Sequence, residues 1–71
     1  MHHPDPVCDE ILKVLTERGP MGWYALEHRL RVPRSEFHDG YTLMSYLGEM
    51  EADGYLVRAE DGNYKVASGQ A

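Results

Sequence analysis

The sequence predicts an α+β domain: three helices followed by a two-stranded β-hairpin. Two observations carry this. Three segments with apolar residues at helical spacing occupy the chain up to residue 53. The third, Asp39 to Asp53, ends at Gly54 and passes at once into Tyr55-Leu56-Val57-Arg58-Ala59, an Asp61-Gly62 turn and Tyr64-Lys65-Val66-Ala67. Asp-Gly between two β-rich runs is a strong hairpin signal, because the primed turns need φ > 0 at their central positions.

The elements follow in order. Asp5 caps the first helix, and Pro6 suits its first position, where no amide hydrogen is needed. Cys8, Ile11, Leu12 and Leu15 fall at i, i+3, i+4, i+7 and predict one buried stripe, with Val7 and Val14 at its edge. Gly19-Pro20 stops the helix. The second helix is expected over Trp23 to Arg31, with Trp23, Leu26 and Leu30 on one face. Val32-Pro33 closes it, since a residue before proline avoids the helical region. Arg34 to His38 reads as a connector with a turn of helix after Ser35. Asp39 caps the third helix, whose core stripe is Leu43, Leu47 and Met50, with Met44 beside it. Gly48 lies mid-helix at about 1 kcal/mol relative to alanine, which a close backbone approach would explain. Ser68 to Ala71 are expected to fray.

Seventy-one residues make one domain, 1–71, with an ordered core over about 6–67. This is near the lower limit for a core without staples. An apolar share of 42% fits a globular chain. One cysteine forms no internal disulfide, and a reducing cytoplasm is the default. No apolar run approaches the ~18–20 residues of a membrane span, and Met1-His2-His3-Pro4 lacks the regions of a signal peptide. The net charge of −5 opposes non-specific nucleic-acid binding, which depends on neutralising phosphates.

Two stretches carry a family resemblance. One is Gly19-Pro20-Met21-Gly22-Trp23-Tyr24-Ala25-Leu26. The other is Leu47-Gly48-Glu49-Met50-Glu51-Ala52-Asp53-Gly54-Tyr55-Leu56-Val57. With three helices and a hairpin at these lengths, residues 6–67 resemble the winged helix-turn-helix superfamily of MarR-type and PadR-type bacterial regulators. The resemblance implies a short strand at Met21-Gly22 that pairs with the wing. It implies a third helix in the major groove of double-stranded DNA and a wing on the backbone. On the matching positions, Tyr41, Thr42, Ser45 and Tyr46 would present hydroxyls to bases or phosphates. Arg29, Arg31, Arg34, Arg58 and Lys65 would meet phosphates. The chain departs from the usual DNA reader in having no Lys or Arg between Asp39 and Asp53, while Glu49, Glu51 and Asp53 crowd the end of that helix. The larger relatives dimerise through extra helices. Here a monomer, or a weak homodimer through the first helix or a strand edge, is expected.

The remaining constellations have plain readings beside them. With Asp61-Gly62 as a two-residue turn, Arg58 faces Lys65 across the ladder, a repulsion that a phosphate or Glu60 would relieve. Trp23 and Tyr64 are the best aromatic core candidates. Tyr41 and Tyr46 flank the expected reading edge, and an exposed aromatic patch there suits a protein partner. His2, His3, Cys8 and Asp9 suggest a metal, and a free amino terminus with His at the third position can hold copper or nickel, but Pro4 and Pro6 give no scaffold and a disordered start is preferred. His28 and His38 read as isolated surface or capping residues. No nucleophile–base pair or phosphate-cradling loop appears, and so small a chain leaves no room for a ligand cleft beside its core. The sequence therefore points to a non-enzyme without cofactor or metal. The first function is a small DNA-binding transcriptional regulator. The alternative is an acidic protein-interaction module on the same scaffold.

Overall fold

A computed structural model describes residues 5–67; the expectations for His2, His3 and Ser68 to Ala71 lie outside them. Helix α1 spans Pro6–Arg18, α2 Trp23–Arg29 and α3 Leu43–Ala52, with a 3-10 turn at Arg34–Glu36. Strands β1 (Leu56–Arg58) and β2 (Tyr64–Val66) form an antiparallel hairpin. The layout is α+β and winged-helix-like. No helix among the described residues is long and apolar enough to cross a membrane.

Helix α1 begins as its sequence dictates. The Asp5 carboxylate accepts from the amides of Val7 (2.8 Å) and Cys8 (3.3 Å), satisfying two donors that have no partner within the helix. Its buried face is Val7, Ile11, Val14 and Leu15, while Cys8 and Leu12 are half-buried. The stripe is thus rotated from the expected one, and the valines placed at its edge are inside it. Met21 and Tyr64 form an isolated antiparallel bridge through two backbone hydrogen bonds of 3.1 and 2.8 Å. The expected strand before the second helix is therefore one residue pair.

Helix α2 ends at Arg29 rather than Arg31, because Leu30 is already extended (φ −69°, ψ 138°). Only Leu26 is buried on it. Trp23, expected in the core, is 46% exposed. It occupies the first position of a seven-residue helix, and its ring lies edge-on to Tyr24 at 5.5 Å.

The third helix starts at Leu43, three residues later than a cap at Asp39 requires. Gly40 adopts φ +78°, which no α-helix accommodates, and Thr42 is the real cap. Its side chain accepts from the Ser45 amide while the Ser45 hydroxyl accepts from the Thr42 amide, a reciprocal capping box. Leu43, Tyr46, Leu47 and Met50 are buried, and Met44 is exposed. At the other end Gly54 (φ +88°) reverses the chain. The Tyr55 amide donates to Met50 O and the Gly54 amide to Glu51 O, so the helix feeds directly into β1.

The hairpin is real, but its register differs from the expected one. The Ala59 amide donates to Asn63 O (2.8 Å) and the Gly62 amide to Ala59 O (2.9 Å), which leaves a three-residue loop, Glu60-Asp61-Gly62. Gly62 takes φ +89° and supplies the left-handed residue that such loops require. The extra residue shifts the pairing by one. Arg58 lies opposite Tyr64, and Lys65 opposite Val57. The expected Arg58–Lys65 repulsion therefore does not exist, because successive residues of a strand point to opposite faces. Leu56 and Tyr64 are both buried and join α1, α2 and α3 in a single core.

Candidate interaction surface

The residues expected to read DNA converge on the start of α3, but their hydroxyls are already engaged. The Tyr41 hydroxyl donates to the Glu49 carboxylate. The hydroxyls of Thr42 and Ser45 lie 3.3 Å apart inside the capping box. Tyr46 is 2% exposed, and its hydroxyl accepts from the His38 amide at 3.0 Å. Tyr46 is therefore a core residue rather than a surface one. Of the pair Tyr41 and Tyr46, the half-buried Tyr41 is the more open.

With Leu43, Tyr46, Leu47 and Met50 turned inward, α3 presents Met44, Gly48, Glu49, Glu51 and Ala52 to solvent. That face has two carboxylates and no cation. Gly48 meets nothing: a Cβ built there has no atom within 4 Å. The close approach expected to explain this glycine is not supplied by any of the described residues.

The acidic character extends onto α1. Cys8 is half-buried, and its thiol is pushed up to about 11, first by burial and then by Asp5, Asp9, Glu49 and Asp53. A thiol that feels four carboxylates from two helices marks one side of the molecule as electronegative. Tyr41 is likewise raised, chiefly by its hydrogen bond to Glu49. Near this side His38 Nε2 sits 3.2 Å from Asp5, so His38 is tied to the α1 cap and is not isolated. His28 Nδ1 lies 3.0 Å from the Tyr24 carbonyl. Among the described residues, no group of three His, Cys, Asp or Glu is placed to hold a metal.

The basic residues fall into two places. Arg29, Arg31 and Arg34 are all exposed around the end of α2 and the turn that follows. Arg34 stacks over Phe37 at 5.0 Å. On the wing the two cations are separated. Arg58 shares the inner side with Leu56 and lies 5.9 Å from the Tyr64 ring, while Lys65 is on the opposite face beside exposed Val57. The wing therefore does not present a paired cationic clamp.

A feature that the sequence did not suggest lies beside the arginines. Leu30, Val32, Phe37 and Leu43 line a half-open groove of about 320 Å³, with Glu27 and Arg34 also on its wall. The small chain thus has a cleft beside its core after all, formed because α2 stops early and an extended connector spans the gap to α3. The signal available in the sequence was the apolar content of that connector, Leu30, Val32 and Phe37, which a solvated loop does not need.

Comparison with protein-family models, curated proteins and solved structures finds no match to this chain.

Proposed function

We propose that this chain is a non-enzymatic protein-interaction module on a winged-helix scaffold, working as a monomer in a reducing cytoplasm. One observation carries the reading: the helix that would enter a DNA groove offers carboxylates at Glu49 and Glu51, no cation, and hydroxyls that already have partners. A phosphate surface near it would meet repulsion, and DNA affinity rests largely on phosphate neutralisation. The net charge of −5 acts in the same direction. Exposed Trp23 (46%), Tyr24 (62%) and Met44 (46%) are residue types that enrich protein interfaces.

A DNA-binding regulator is the second reading. It is favoured by Arg29, Arg31 and Arg34, three exposed cations within six residues, with Lys65 available on the wing. The two readings separate in one experiment. The protein is recovered from its source cells by affinity capture with and without nuclease. The interaction reading predicts a stoichiometric protein partner that survives nuclease. Loss of every partner on nuclease treatment, together with enrichment of duplex sequences by the pure protein, would establish the regulator instead.

A further inference from the structure

The groove and the arginines around it occupy the same part of the molecule. Between Glu27 and Phe37 the chain carries three arginines against two glutamates, Glu27 and Glu36. This stretch is net positive in a protein of net charge −5. The groove's own charged residues are Arg34 and Glu27, and Arg29 and Arg31 are exposed beside it in the same positive stretch. Leu30 and Val32, which line the groove, alternate in the chain with Arg29 and Arg31, which are exposed, and Arg34 is itself on the wall. None of the three arginines makes an ion pair among the described residues. Arg34 instead holds its guanidinium over the Phe37 ring, 5.0 Å from its centroid, and a guanidinium in such a contact keeps its N–H donors for a carboxylate.

A bare phosphate backbone would use the arginines and leave Leu30, Val32, Phe37 and Leu43 wet. A free apolar ligand would use the floor and leave the arginines unused. An acidic peptide with a bulky apolar side chain uses both. The side chain is the desolvated anchor and the carboxylates are the charge-assisted partners. On the reading that this is a protein-interaction module, we infer that the groove between α2, the connector and the start of α3 docks an acidic segment of a partner protein, seating one leucine- or phenylalanine-sized side chain on Leu30, Val32, Phe37 and Leu43, with flanking aspartates or glutamates on Arg29, Arg31 and Arg34. The acidic face formed by α1 and α3 then repels the same segment and confines it to the groove.

The probe is acetyl-Ser-Asp-Asp-Leu-Phe-Asp-Asp-Ser-amide, titrated into isotopically labelled full-length protein and followed by amide and methyl NMR. The same peptide with serine for both apolar residues, and a third with lysine for every aspartate, are the controls. Saturable shifts at the methyls of Leu30, Val32 and Leu43 are expected. The serine peptide should bind at least about tenfold more weakly, or ~1.4 kcal/mol. So should the exposed double variant Arg31→Glu/Arg34→Glu, its folding checked by the dispersion of its spectrum, whereas Glu49→Lys should bind the parent peptide no more weakly than wild type. Equal binding of the serine or lysine peptide overturns the inference, as do shifts centred elsewhere or no binding of the parent peptide at millimolar concentration. Concentration-dependent shifts at the groove without peptide assign it to a second copy, and also overturn it. A duplex titration at about 150 mM salt keeps the premise separate. Shifts of the arginines and of α3 with duplex remove the protein-interaction reading, while failure of both peptide and duplex removes the groove inference alone.

Discussion

Gly48 is a residue whose presence the packing among the described residues does not explain. It lies inside α3, its built Cβ has no neighbour within 4 Å, and glycine costs about 1 kcal/mol there relative to alanine. Gly48→Ala should therefore raise the urea midpoint by an amount equivalent to about 0.5–1 kcal/mol without changing the slope. A loss of stability would place an unseen contact at that position. Thr42 gives the opposite case. Removing its hydroxyl in Thr42→Ala breaks the capping box and should cost about 1 kcal/mol in the same assay; an unchanged midpoint would show the box to be worthless in water. Cys8 tests the electrostatics. Its thiol, raised from 9.0 to about 11, stays protonated through the neutral and mildly alkaline range. Alkylation at pH 8 should be markedly slower in the folded protein than in urea, because the thiolate is the nucleophile. The sign for stability follows: the folded state holds its proton more tightly, so the contribution is intact below about pH 9 and is lost as the pH rises toward 11. Equal alkylation rates in the two states would contradict this environment. At this scale the sequence was legible where the reasoning was local, as with Asp5 at the α1 cap. It was not where a three-dimensional neighbour decides. Trp23 is large and apolar and sits at core spacing, yet α2 is too short to bring anything over it. Tyr46 looked like a surface hydroxyl because its partner, the His38 amide, comes from an irregular segment.

The wing shows how one residue of loop length changes an element. Both a two-residue and a three-residue hairpin loop can use Asp-Gly, so the pair located the turn without fixing the register. The three-residue loop puts Arg58 across from Tyr64 and within cation–π range of its ring, while Lys65 faces outward beside Val57. Arg58→Ala should accordingly destabilise the domain by about 0.5–1 kcal/mol, and Lys65→Ala should fall within about ±0.5 kcal/mol. Stabilisation by both substitutions would mean that the two cations do repel and that the two-residue register is correct. Gly62→Ala should destabilise more than either, since φ +89° strains any side chain there; thermal melts of the three variants give the order directly. Helix α3 was similarly legible in its middle and not at its start. Leu43, Leu47 and Met50 are on the inner face as their spacing required, but Asp39 and Thr42 are both plausible caps, and only the positive φ of Gly40 selects the second.

Across the whole molecule, charge separates what the fold alone leaves together. The three-helix and hairpin order was readable because each element carries its own stop signal: Gly19-Pro20, Gly54 and Asp61-Gly62. The groove was not readable, since it exists only through the gap that an early end of α2 opens against α3. The result has an acidic side, where Asp5, Asp9, Glu49 and Asp53 all act on the Cys8 thiol, and a smaller basic pole at Arg29, Arg31 and Arg34 beside apolar floor residues. Such a dipole suits a partner with its own charge pattern better than the uniform negative field of a duplex. The most direct measurement is fluorescence anisotropy of a labelled random-sequence duplex against this protein, repeated over a salt series from about 50 to 200 mM. The account predicts no saturable binding below about 10⁻⁴ M protein at the upper end, weaker than ordinary non-specific DNA binders, and a shallow salt slope. Micromolar binding whose affinity falls steeply with salt, and which is lost in Arg29→Ala/Arg31→Ala/Arg34→Ala, would contradict it.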